Sequence, residues 1–229
     1  KEEDFLSAEL SLVPAFKARD IGFDRALIGA YGHDDRVCSY PAFSALFDTE
    51  TDGKTVMVVL ADKEEIGSEG TTGMQCAIFT DLIDAIAYSF DTTSAVIRAN
   101  SKCLSADVNA AYDPNFKDVN EPMNSTYVSC GAGLTKFTGA RGKSGSNDAS
   151  AEFMAEVRKM FNDEGVIWQT GELGKVDQGG GGTVAKYIAK MNIDTVDIGV
   201  AVVSMHAPYE VISKADVYEM YLACKAFMK

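Results

Sequence analysis

The feature that most constrains this chain is an alternation. Short β-branched runs follow one another along the sequence, with helix-period patterns between them. That order predicts an α/β domain, because each strand then finds a helix to cover it. The clearest strand is Thr55-Val56-Met57-Val58-Val59-Leu60, apolar on both faces and therefore expected at the centre of a sheet. Weaker strands are predicted over 96–104, ending at Ser105-Ala106-Asp107, and over 125–137, 166–170 and 196–203. Helices are predicted over 73–90, with Ile78, Leu82, Ile83 and Ile86 on one stripe, and over 146–162, 182–191 and 213–228. Ser213 is placed to cap the last of these, with Asp216 in its first turn. The expectation is one domain over 1–229, a three-layer α/β/α sandwich around a mixed, mostly parallel sheet.

Composition narrows what such a domain can do. Twenty-one basic against 34 acidic side chains give a net charge of −13, which argues against nucleic acid or an anionic membrane as partner. No apolar run approaches the ~20 residues that span a bilayer. Five cysteines lie far apart with no C-x-x-C pair, the pattern of reduced thiols in a cytoplasmic protein. Lys1-Glu2-Glu3-Asp4 does not open a signal peptide, and the absence of an initiating Met leaves room for an upstream segment.

The chemistry-bearing residues cluster at predicted element ends. Glu64-Glu65 follow the strongest strand, Asp107 ends a weaker one, His206 follows the last, and Asp34-Asp35 precede a helix. In open α/β sheets, sites form at the carboxyl edge of the strands. Carboxylates crowded there repel one another, and each is driven towards protonation unless a cation intervenes. Several carboxylates with one histidine suit zinc, cobalt or manganese. Two cations sharing a bridging carboxylate would activate water between them, leaving a further carboxylate to take its proton.

Four segments in order carry a resemblance: Gly32-His33-Asp34-Asp35-Arg36, Asp62-Lys63-Glu64-Glu65-Ile66-Gly67-Ser68, Ser105-Ala106-Asp107-Val108-Asn109-Ala110, and Ser204-Met205-His206-Ala207-Pro208-Tyr209-Glu210. Together they resemble the aspartyl aminopeptidase family of dinuclear zinc metallopeptidases, from about Val13 to the C-terminus. The resemblance implies a zinc-peptidase fold with an inserted dimerisation domain, assembly into homo-oligomers that reach tetrahedral dodecamers, and two divalent ions. By that likeness Asp34 bridges the ions, Glu65 and His206 complete one ligand set, Asp107 binds the other ion, and Glu64 is the general base. Asp35 is expected to support its neighbour. Gly182, Thr183 and Lys136 fall where the family places its substrate, Gly182 and Thr183 at the end of a glycine run (Gly179–Gly182). The implied activity is that of a metallo-exopeptidase, hydrolysing the N-terminal residue of peptides with metal-activated water.

The chain departs from that pattern in one respect. The family carries a further histidine ligand upstream of its inserted domain, whereas only His33 and His206 exist here. His33 directly precedes Asp34 and is poorly placed for the role. The expectation is a catalytic portion without its first segment and insertion, poorly active alone, that binds one metal better than the other. A non-catalytic shell or scaffold subunit of the same fold is the alternative. A nucleotide site at Gly139-Ala140-Arg141-Gly142-Lys143-Ser144 is excluded by Phe137, which stands where a phosphate-binding loop needs glycine.

Overall fold

The computed structural model spans residues 1–229. In chain order its elements are α1 (Glu2–Leu6), β1 (Arg19–Ile21), β2 (Leu27–Ala30), α2 (His33–Asp48), a 3-10 turn (Glu64–Ile66), α3 (Ile78–Ser89), α4 (Ser94–Ala99), β3 (Lys102–Ala106), β4 (Asn109–Ala110), a second 3-10 segment (Pro114–Val119), β5 (Ala132–Thr135), α5 (Ala151–Glu164), β6 (Trp168–Thr170), α6 (Ala185–Ala189), β7 (Asp194–Gly199), β8 (Ala201–Val203), β9 (Glu210–Ser213) and α7 (Lys214–Met228). None of the helices is long and apolar enough to cross a membrane.

The strands form two mixed sheets, β1-β2-β9-β8-β4 and β3-β7-β5-β6. They meet at a seam where β7 runs on into β8 and β3 into β4. Helices α2, α5 and α7 cover one side, with α3, α4 and α6 on the other, so the layering is α/β/α. The sheets are mixed as expected, but antiparallel pairings outnumber parallel ones, because β9 returns between β2 and β8. The main core packs Leu134, Val196 and Ile198 of the sheet against Phe153, Val157 and Phe161 of α5 and Met220 of α7. A smaller cluster on the opposite face joins Ile83, Ile188 and Ile193.

Three expectations need correction. Thr55–Leu60 is extended but pairs with no strand, and no backbone hydrogen bond forms along it. Only Val56 and Val58 pack on the core, while Val59 and Leu60 are 46% and 60% exposed. Of the strand expected over 96–104, residues 96–99 fall in α4, because the Thr93 hydroxyl caps the helix by accepting from Val96 N–H, and only the part from Lys102 is strand. The helix expected over 73–90 starts only at Ile78, after a run of turns. The other elements fall where the pattern puts them, mostly shorter. The α7 cap differs in mechanism: the Ser213 side chain makes no cap hydrogen bond. Asp216 turns instead to the backbone N–H groups of Ser129 and Gly131, tying a loop to the helix.

Candidate metal centre

Two local features bring the acidic residues together. β2 and β8 flank the antiparallel β9 and so run in the same direction, which puts Asp34, just past β2, and His206, just past β8, at one edge. Asp107 lies at the seam, directly after β3, and its N–H donates to the carbonyl of Ile198 on β7 at 3.0 Å. That approach needs glycine next door. A Cβ on Gly199 would stand 1.6 Å from the carbonyl oxygen of Asp107. Glu64 and Glu65 reach the same edge on the 3-10 turn, entered through Lys63 in the left-handed region at φ 67°.

Two donor groups result. Ligand atoms of Asp34, Glu65 and His206 lie within 4.8 Å of one another, as do those of Asp34, Asp35 and Asp107. Asp34 belongs to both, the position of a bridge. His206 Nε2 is 3.0 Å from Asp34 Oδ2 and 3.1 Å from Glu65 Oε1. One ring nitrogen has one proton or one lone pair to offer, so it cannot serve two carboxylates by hydrogen bonding alone. A shared cation satisfies all three lone pairs, and the donor set fits one.

The electrostatics agree. Burial, reinforced by the negative charge of Glu65, pushes the Asp34 carboxyl up to about 7. Burial also lifts Asp35 to about 7 and Asp107 to about 9, Asp107 under further pressure from Asp35 and Glu64. Glu64 is likewise raised, by burial first and then by Glu65. It belongs to neither donor group but lines the same cleft of about 330 Å³, together with Gly182, Thr183 and Lys186.

The structure thus brings Asp34, Glu64, Glu65, Asp107 and His206 to one cleft, which Gly182 and Thr183 also line. Asp35 joins the second donor group directly, a closer involvement than support of its neighbour. Lys136 stands apart from the cleft lining. Its ammonium is tied to Asp148 and donates to the Ala149 carbonyl at 2.6 Å. His33 points back to the Ile28 carbonyl at 3.2 Å and belongs to neither donor group.

One residue had no role assigned from the sequence. Glu210, buried at the start of β9, accepts from Asp34 N–H through Oε2 (3.1 Å) and from His206 N–H through Oε1 (2.8 Å). It lies beside Ala30 in the β2–β9 register, which carries it to both loops. The signal available was its place four residues after His206 at the head of an apolar strand.

Fold and donor set together define an α/β protein with a carboxylate–histidine cluster that could hold divalent metal. Within that class the chain belongs to the M18 peptidase family: the family of aminopeptidase I zinc metalloproteases (M18) matches residues 1–228. It is similar to a probable M18 family aminopeptidase 1 of Clostridium acetobutylicum, 49% identical over 231 residues, covering 99% of this chain and 50% of that protein. The crystal structure of aminopeptidase I from the same organism superposes with a TM-score of 0.95, covering 100% of this chain and 50% of that one. A Saccharomyces cerevisiae mApe1 dodecamer, 24% identical, shares the fold with a TM-score of 0.74 over 94% of this chain and 48% of that one. The chain spans about half the length of the curated relatives it matches.

Proposed function

We propose that this chain carries the catalytic centre of a metallo-exopeptidase that removes the N-terminal residue of peptides. The observation that carries the reading is the position of Glu64, inside the cleft and beside the donor atoms but outside both donor groups. Asp34, Glu65 and His206 would hold one divalent ion, and Asp34, Asp35 and Asp107 a second. Ions bound there would polarise the scissile carbonyl and acidify a water molecule. Glu64 would accept the proton of that water and hand it to the leaving amine, a task helped by a carboxyl already raised towards the working pH. The surrounding carboxylates would hold the free ammonium of the substrate and so restrict cleavage to the end of a peptide. Gly182 and Thr183 would form the wall against which the peptide lies, and Lys136 has no part in that wall.

The two donor groups differ in chemistry. The first includes an imidazole nitrogen and the second is all oxygen, so zinc should prefer the first. The chain alone would then hold one zinc ion more tightly than the other and turn over slowly. Titration calorimetry of the metal-free chain should show two unequal zinc sites, and two equal, tight sites would contradict this. The mApe1 dodecamer supports assembly of several copies in the whole protein.

Replacing Glu64 with Gln tests the reaction itself. Turnover should fall by a factor on the order of 100 to 10,000 with metal content unchanged. Turnover indifferent to the substitution would favour a scaffold subunit. A panel of acidic and neutral aminoacyl p-nitroanilides reads the substrate preference, on which the likeness to aspartyl aminopeptidases bears.

A further inference from the structure

We infer that Asp197 is a positioning residue: it fixes the glycine-rich wall of the cleft by holding the Thr183 hydroxyl. Asp197 sits in the middle of β7, in register with Ser105 of β3 and Thr135 of β5. It is 4% exposed, and its neighbours across both ladders are as deeply buried. A carboxyl in such a place is costly unless its oxygens are matched. One is: Thr183 Oγ1 donates to Asp197 Oδ1 at 2.6 Å. The other, Oδ2, forms no hydrogen bond of good geometry; the Ser105 hydroxyl opposite lies near enough to draw the carboxyl down against the effect of burial without completing one.

A half-matched buried acid in the centre of a sheet does not stabilise the fold, since an apolar side chain would fill the place at less cost. Its effect is directional. With its proton committed to Asp197, the Thr183 oxygen can present only a lone pair to the other side, and there it accepts from Ala185 N–H at 3.3 Å. One hydroxyl therefore pins the turn at both ends, to the sheet through Asp197 and to the following residues through Ala185. The turn needs such a pin. Between Gly180 and Val184 no backbone N–H donates to a protein acceptor, and consecutive glycines leave the segment free to wander. Yet Gly181, Gly182 and Thr183 line the same cleft as Glu64. Asp197 itself lines no part of it.

The test has a structural arm and a kinetic arm, and only the kinetic one rests on the peptidase reading. In the structural arm, hydrogen exchange is followed over 179–187 in the metal-loaded chain. Asp197→Ala should quicken exchange of the Ala185 amide about ten-fold, with the β7 and α7 amides unchanged. Asp197→Asn, which keeps the accepting oxygen, should stay close to wild type. Exchange at Ala185 unaltered by the Ala variant, or an Asn variant as loose as the Ala variant, overturns the inference. Should Asp197→Ala not fold, Thr183→Val removes the same bond from the surface side and must loosen the same amide, while Thr183→Ser restores it. In the kinetic arm, Asp197→Ala should raise KM for an aminoacyl p-nitroanilide about ten-fold and leave kcat within about two-fold. The double variant with Thr183→Val should be no worse than either single change. A fall in kcat at constant KM overturns the inference. A wild-type chain with no turnover sinks the peptidase reading, and the exchange data then decide the role of Asp197 alone.

Discussion

At the scale of single residues, the centre depends on a side chain that touches none of the chemistry. Glu210 grips the backbone of Asp34 with one oxygen and of His206 with the other, so two ligands from opposite ends of the sequence share one support. Such outer contacts orient ligands, and their loss typically costs 10- to 100-fold in metal affinity. Glu210→Ala should therefore weaken zinc binding by about that factor, measured by competition with a chelator, while Glu210→Gln, still able to accept once, should weaken it less. The clustering of Asp34, Glu65, Asp107 and His206 was legible in the sequence because each stands at an element end within a short motif. Glu210 was not, because a glutamate opening an apolar strand looks like a solvated turn until the β2–β9 register is known. Lys136, which the family resemblance puts near substrate, lies outside the cleft lining and pairs with Asp148.

At the scale of elements, the seam between the sheets sets the centre. The chain at Gly199 passes so close to Asp107 that any side chain would collide with its carbonyl. Gly199→Ala should cost about 1–3 kcal/mol by overpacking, read as a lower Tm, and should weaken zinc binding through the displaced Asp107. The helix α5 offers a gentler comparison. Ser150 Oγ accepts from Phe153 N–H at 3.1 Å, so Ser150→Ala should cost about 1 kcal/mol with zinc affinity unchanged, measured by the same denaturation and titration. A long element with a strong period, α5 above all, was readable because one face must be buried whatever else happens. Residues 96–99 were misread because Val96 and Ile97 favour strand, and the Thr93 cap outweighed that preference. β1, β2 and β9 went unseen: they are short, and their pairing partners lie far along the chain.

At the scale of the whole molecule, crowded carboxyls govern how stability responds to pH. Asp34 and Asp35 stand at about 7 and Asp107 at about 9, all above the ordinary 3.8. The metal-free folded state therefore binds more protons than the unfolded chain, and these groups favour folding most below that ordinary value. Their contribution fades as pH rises through about 7 to 9, so Tm of the metal-free chain should fall between about pH 5 and 9. Zinc, by binding the folded ionised form, should raise Tm most at the alkaline end. A Tm that climbs over this range in a chelator would contradict the assignment. The bare run ahead of Glu64 gives the same ions a second consequence. Two valines moor residues 55–60 to the body, and past Glu65 the Tyr187 hydroxyl donates to the Gly67 carbonyl at 3.1 Å. A cation drawing Glu65 towards Asp34 and His206 would close the stretch between those two fastenings. A chelator should then loosen Glu64 together with Glu65, because both ride on that one stretch.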